Sequence, residues 1–445
     1  MPIFKPRIQV SLLAGLLLAV LLASACGGNA GNANVAAAVG NLHDTPAVRL
    51  NFRYEGDVPA PTLDASKSSD QERNAAIQND FDTNRPQELL DRTLTSPDSK
   101  HVAAVYHRVT DMQAEFRIDM YAPDGKLIKK VTSESMAVHF PDTLLWSPDS
   151  NSLAFVAMLR ALSPVPSGSP SPGANTAPMP APPAPDANAN TAASNTEPPS
   201  ADATPTIAPT PPAPTGILVF RTEQIYIVGA DGSGTRPLTE NEGLIYFYYA
   251  WSPDSTMLAA LATTSREWKY TDITSASKGE TLIPQGRPRI IEKNGRERRL
   301  DDNATAVRPV WSPDSAKVAL AFGNQIRLYD AVGVSPTQAA IPLRNQLLFS
   351  SQAYDREQHR LAGGEANANT APETPANPDD NSTLPNEKDL ASFNPIVELA
   401  WTAPDLLYLR TAYIRRMRND ADSVTSFARW HRLALSPQVI LPANK

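Results

Sequence analysis

The pentapeptide Trp-Ser-Pro-Asp-Ser occurs three times, at Trp146–Ser150, Trp251–Ser255 and Trp311–Ser315. A catalytic motif has no need of copies, whereas a unit that stacks beside its own repeats must spell the same turn in each one. Proline presets φ for the second position of a type I turn, aspartate suits the third and serine the first, so Ser-Pro-Asp-Ser reads as a tight reversal. Short apolar runs ending in tryptophan precede it, as in Thr143–Trp146, Tyr248–Trp251 and Arg308–Trp311, and apolar runs follow it, as in Leu153–Val156, Met257–Leu261 and Val318–Ala321. Their length and turn boundaries predict strand, turn, strand.

Two degenerate copies extend the series: Ser96-Pro97-Asp98-Ser99 without the tryptophan, and Trp401-Thr402-Ala403-Pro404-Asp405. A second turn recurs downstream in Asp124-Gly125, Asp231-Gly232 and Asn294-Gly295, each between alternating runs, which is a strong hairpin signal. Four strands per unit, joined by hairpins, make the blade of a β-propeller. Ser96 to Ser147 is 51 residues and Ser252 to Ser312 is 60; the two longer intervals each contain a low-complexity insert, 163–215 and 363–389. The expected fold is therefore all-β: a propeller of four-stranded antiparallel blades over 46–445, with disordered inserts. Five repeats are recognisable, and Val48–Arg53 supplies either a closing strand or part of a sixth blade, giving six in all. A short helix is expected at about Gln71 to Phe81.

Trp-Ser-Pro-Asp, an apolar strand, an Ile-Tyr strand and an Asp-Gly turn together resemble the WD40-like propeller repeat (the PD40 type) of the TolB family, which also occurs in the propellers of prolyl oligopeptidases. The likeness covers about 90 to 440. The repeat-turn residues it rests on, Trp146, Pro148, Asp149, Trp251, Pro253, Asp254, Trp311, Pro313, Asp314, Trp401, Pro404 and Asp405, are read as structural. Ser99, Ser150, Ser255 and Ser315 stand where the family usually has glycine, so each turn is expected to close without a residue at positive φ. The resemblance implies an envelope-facing, noncatalytic protein-interaction module.

The amino terminus predicts where the chain works. Lys5 and Arg7 precede an apolar stretch from Val10 to Leu22 and the small residues Ala23-Ser24-Ala25, the pattern of an export signal over 1–25. Cys26 follows and is the single cysteine, which excludes an intramolecular disulfide. Leu22–Cys26 resembles the lipobox of bacterial lipoproteins, with Ala23 where leucine is usual, and that likeness implies lipid attachment at Cys26. Secretion after the Ala-x-Ala site and an uncleaved membrane helix are the competing readings; the apolar run is shorter than the roughly 20 residues a span needs. Residues 26–45 read as a Gly, Asn and Ala tether. The expected location is the bacterial cell envelope, and Gly27 resembles lipoproteins sorted to the outer membrane where a cell has two.

The chemistry-bearing residues predict no active site. The six histidines show no His-Glu-x-x-His pattern, no Gly-x-Ser-x-Gly elbow occurs, and Asp420-Ala421-Asp422-Ser423 lacks the glycine and glutamate of a calcium loop. No metal or cofactor is expected, and a net charge of −7 disfavours nucleic acid. Two surface features stand out as a candidate binding surface: Tyr246 and Tyr248, whose rings alternate toward the channel or the blade core, and the basic Arg415 and Arg416. The expected assembly is a monomeric propeller held at the membrane through Cys26 that binds envelope proteins. The alternative is a glycan- or peptide-binding, even lytic, propeller that uses its central channel.

Overall fold

A computed structural model of the chain describes residues 42–62, 73–112, 114–159, 223–362 and 384–438. The chain divides into two units, Met1–Val39 and Gly40–Lys445, and all described residues belong to the second. The expected export signal over 1–25, Cys26, the insert 163–215 and most of the insert 363–389 lie outside them. Among the described residues no helix is long and apolar enough to cross a membrane.

Strand β1 (Leu50–Val58) and helix α1 (Ala75–Asn84) come first. Five antiparallel sheets account for the rest. The first holds β2 (Glu88–Thr95), β3 (Val102–Arg108), β4 (Arg117–Tyr121) and β5 (Leu127–Lys130). The second holds an inner strand broken into β6 (Met136–His139) and β7 (Leu145–Trp146), then β8 (Ser152–Leu159), β9 (Gln224–Gly229) and β10 (Arg236–Pro237). The third runs β11 (Leu244–Trp251), β12 (Met257–Thr264), β13 (Arg287–Glu292) and β14 (Glu297–Arg299), with α2 (Ser265–Ser277) between β12 and β13. The fourth runs β15 (Val310–Trp311), β16 (Lys317–Phe322), β17 (Gln325–Asp330) and β18 (Gln338–Pro342), after which α3 (Arg344–Leu361) follows. The fifth orders β19 (Ile396–Ala403), β20 (Leu406–Arg415) and β21 (Val424–Pro437), with β1 as its outer strand. The architecture is thus all-β and propeller-like; of the segment Val48–Arg53, Leu50–Arg53 belong to β1, the outer strand of the last sheet, and no sixth sheet occurs among the described residues.

Period-2 alternation gives each middle sheet two apolar faces, and these faces stack. In the second sheet Leu153, Phe155 and Ala157 pack toward the first, while Ala154, Val156 and Ile225 pack toward the third. Two further cores join the third sheet to the fourth and the fourth to the fifth. The free face of the first sheet is covered differently: Ile77 and Phe81, spaced i and i+4 on α1, pack on Leu90, Val102, Ala104, Tyr106 and Tyr121. Asn74 caps α1 by accepting from the amides of Ala76 and Ile77, so the helix starts later than the expected Gln71. The tether also ends sooner than expected. Leu42 packs on the last core, and Lys317 Nζ donates to its carbonyl at 2.9 Å. Residues 384–389, assigned to the second insert, are folded as well: Asn386 caps a 3-10 turn at Glu387–Asp389.

The repeated turn behaves as a rivet between sheets. Ser150 N–H donates to the Ser147 carbonyl at 2.9 Å, closing the reversal with Pro148 and Asp149 in its middle. Contrary to expectation, the fourth-position serines are left-handed, with φ of 60° at Ser99, 62° at Ser150, 63° at Ser255 and 62° at Ser315. For Ser150, Ser255 and Ser315 the reason lies in the neighbouring sheet. The amides of Asp98, Asp149 and Asp254 donate at 3.0 Å to the hydroxyls of Ser150, Ser255 and Ser315, one sheet further on. The tryptophans reach the same way: Nε1 of Trp146, Trp251 and Trp311 donates to the carbonyls of Leu94, Leu145 and Ala250 on the preceding sheet at 3.0–3.1 Å. Trp401 departs from this pattern and bonds the carbonyl of Pro404 within its own turn, at 3.4 Å.

Candidate functional site

The Ser-Pro-Asp-Ser and Asp-Gly turns, and their counterparts in the fourth and fifth sheets, leave from one edge, and the second-to-third and fourth-to-next-first connections leave from the other. The first edge carries these turns, the 331–337 loop and the entering segment 42–49, whose Ala47 and Val48 amides donate to Asp330 and Thr337. The second carries α2, α3, the overhang of β20 and β21, and the two ends from which residues 160–222 depart and return.

Helix α2 is started by a capping box. Thr264 accepts from the Glu267 amide, while the Glu267 carboxylate accepts from the Thr264 amide. Arg287 on β13 then grips that carboxylate with two bonds, at 2.7 and 2.8 Å. The hydrogen bonds from Arg287, with further bonds from Thr264, hold Glu267 down to a pKa of about 2 against the opposing effect of burial. Trp268 pins the same turn, its ring 5.4 Å from Phe140 and 5.6 Å from Phe247. Gly279, at φ 70°, ends the helix in the left-handed conformation that glycine adopts without penalty. The chain then runs without regular secondary structure through 281–285 to Gly286, where a Cβ would come within 2.9 Å of the backbone of Ala262.

Strands β20 and β21 stay paired past the body of the fifth sheet, through Tyr413↔Ser426, Ile414↔Thr425 and Arg415↔Val424, after a register shift between Thr411 and Tyr413. The bulge bends this overhang out of the sheet. Its tip lands on the third sheet's α2–β13 connection. Thr281 N–H donates to the Arg416 carbonyl and Arg418 N–H to the Gly279 carbonyl, both at 3.0 Å. Thr281 Oγ1 donates to the Met417 carbonyl at 3.0 Å, and Arg415 pairs with Glu280 at 3.1 Å. The overhang is therefore a strap, and between it and α2 lies a groove of about 290 Å³. Tyr270, Thr274 and Lys278 line one wall, and Ile414, Arg415 and Arg416 the other. Thr281, Ile283 and Gln285 lie between them.

The structure brings two of the four predicted surface residues, Arg415 and Arg416, into this groove. It separates the other two. A register shift between Tyr246 and Tyr248 inserts Phe247 as an extra residue in β11, so the two tyrosines fall on opposite faces. Tyr246 is buried in the core between the second and third sheets; its hydroxyl donates to Glu297 at 2.9 Å and accepts from Asn241 at 3.0 Å. Burial, reinforced by the Glu297 charge, pushes that phenol well above its ordinary pKa. Tyr248 packs toward the fourth sheet under the Arg308 guanidinium, 4.5 Å from its ring. No ring platform forms. A larger hollow of about 530 Å³ beside Tyr246, between Arg236, Asn241, Asn294 and Glu297, is open and polar. Among the described residues no group of three His, Asp or Glu side chains is arranged to hold a metal ion.

No protein-family model and no curated protein matches the sequence. Solved structures with some likeness include an oligogalacturonate lyase in complex with manganese, at 13% identity and a TM-score of 0.27 over 57% of this chain and 48% of that one. A putative TolB from Agrobacterium tumefaciens is similar at 14% identity and a TM-score of 0.26, over 56% of this chain and 66% of that one. Prolyl oligopeptidase B from Galerina marginata is similar at 8% identity and a TM-score of 0.37, over 86% of this chain and 45% of that one. The chain spans about half the length of the lyase it matches.

Proposed function

We propose that the protein is a lipid-anchored β-propeller of the bacterial cell envelope that binds other envelope proteins as a noncatalytic scaffold. The observation that carries this reading is the asymmetry of the two edges. One carries the repeated turns, one longer loop and the entering segment 42–49, and the other is built up with two long helices and a strap bonded across to a non-adjacent sheet. A rigid stack of sheets that spends its insertions on one face displays a composite surface there, as binding scaffolds do. The Lys5/Arg7, apolar and Ala-x-Ala-Cys26 pattern supports export and tethering. In this reading the five sheets are blades of one ring, β1 closes the last blade, and the built-up face points toward partners.

Crosslinking and co-purification of the intact protein from its native envelope, beside a Cys26→Ala form, tests the proposal. A stoichiometric protein partner retained by the anchored form and lost from the unanchored one is expected. Recovery without any protein partner, with cell-wall sugars or peptides held by the purified protein, would replace the scaffold by a ligand-binding propeller.

A further inference from the structure

The groove between α2 and the strap has a definite length, charge and bonding inventory. Tyr270 and Thr274 stand at i and i+4 on α2 and Lys278, its C-cap, at i+8, so this wall is about 12 Å long, the span of about four residues of extended chain. Thr281, Ile283 and Gln285 all line the groove and alternate with the less exposed Leu282 and Pro284. Among the described residues the amides of Leu282, Ile283 and Gln285 have no hydrogen-bond partner. Charge is uneven along the groove. Arg415 is neutralised by Glu280, whereas Lys278 and Arg416 have no ion pair among the described residues. Two turns before Lys278, Tyr270 is 73% exposed, and Ile283, also in the lining, is 38% exposed.

We propose that this groove docks a short, extended, acidic peptide segment of a partner protein. Its carboxylate sits between Lys278 and Arg416, and an apolar or aromatic residue a few positions away lies against Tyr270 and Ile283. The inference rests on the reading of this face as the interaction surface. Charge complementarity selects the carboxylate, because Lys278 and Arg416 both line the groove without an ion pair among the described residues and are satisfied by one anionic group. Free backbone amides beside an elongated slot suit a peptide, whose own carbonyls accept from them. A side-chain carboxylate and a chain-terminal one supply the same chemistry.

Libraries of random octapeptides, displayed both internally and with a free carboxyl terminus, are panned on the full chain and on a Lys278→Glu/Arg416→Glu form. Both positions are exposed, and an unchanged thermal melt verifies that the variant is folded. Enriched peptides are expected to share an acidic group spaced from an apolar or aromatic residue, and their synthetic versions to bind the variant at least about tenfold more weakly by fluorescence anisotropy. Asp→Asn or Glu→Gln peptides and terminal amides tell the two carboxylate sources apart, and Tyr270→Ala should relax the apolar preference while keeping the acidic one. No enrichment, or enriched peptides that bind both proteins within about twofold, would overturn the proposal. Co-purification separates it from the broader reading. A partner held equally by the parent and by Lys278→Glu/Arg416→Glu leaves the scaffold standing and removes the groove from it. Peptide selection without any envelope partner does the reverse.

Discussion

Serine at the last position of three repeated turns, Ser150, Ser255 and Ser315, carries two opposed effects. Its left-handed backbone costs about 1–2 kcal/mol relative to an unstrained residue. Its hydroxyl accepts the amide of an aspartate one sheet away, a bond contributing about 1 kcal/mol. Glycine would relieve the first and forfeit the second; alanine would forfeit the second and keep the first. Ser255→Ala should therefore lower stability by about 1 kcal/mol, whereas Ser255→Gly should leave it nearly unchanged. Ser99 is exposed, and its hydroxyl has no partner among the described residues, so Ser99→Gly should stabilise by about 0.5–1 kcal/mol. Denaturant melts of the three variants decide the matter: equal effects of alanine and glycine at 255 would mean that the serine is no rivet. The turn type was legible because proline and aspartate act locally. The left-handed serine was not, because its compensating bond spans 106 residues, from Asp149 to Ser255.

At the scale of elements, legibility followed the period of the apolar residues. The strands around every repeated turn could be read, since two buried faces produce unbroken apolar runs such as Val102–Tyr106 and Met257–Ala262. Helices α2 and α3 could not. No residue of α2 is fully buried, so it has no apolar stripe, and α3 buries only Leu347, Leu348 and Ser351 and begins without a side-chain cap. The one local signal for α2 was Thr264-x-x-Glu267, the spacing of a capping box. The groove was half legible for the same reason: its arginines stood out as a cluster, but the helix that faces them did not. Because α2 is held by its first turn rather than by burial, Glu267→Gln should loosen it selectively. Loss of the charge weakens both the cap and the paired bonds from Arg287, worth about 1–2 kcal/mol locally. Amide exchange should quicken across 265–281 and at the strap tip while the global melt moves little. A uniform acceleration through the sheets would show instead that Glu267 supports the core.

The whole described molecule is joined end to end at one histidine. His431 on β21 is fully buried; its Nδ1 accepts from the Tyr54 hydroxyl at 2.8 Å and the Asp57 amide at 3.3 Å, both from β1, and its Nε2 bonds Thr411 on β20 at 3.1 Å. Those amide and ring bonds require a neutral imidazole with its proton on Nε2. Burial, aided by the neighbouring Arg429 charge, lowers His431 to a pKa of about 3 from 6.5. Arg429 cannot withdraw, since it is buried and bonds Ser350 and Ser351 of α3 at 3.0 and 3.2 Å while facing Asp57 at 3.3 Å. An unfolded chain takes up a proton at this histidine below about pH 6.5, and the folded one resists until about pH 3. The stabilisation is therefore complete above pH 6.5, is lost as the pH falls toward 3, and changes no further below that. Within the window one proton separates the two states, a slope of about 1.4 kcal/mol per pH unit. His431→Gln removes that proton, so its unfolding free energy should fall less steeply between pH 6 and 4 by up to about this amount, even if the variant starts from a lower stability at pH 7. Because carboxylates contribute the same slope to both proteins, the difference between the two curves isolates the histidine. Parallel curves would show that the closure of the last sheet by β1 survives protonation of His431.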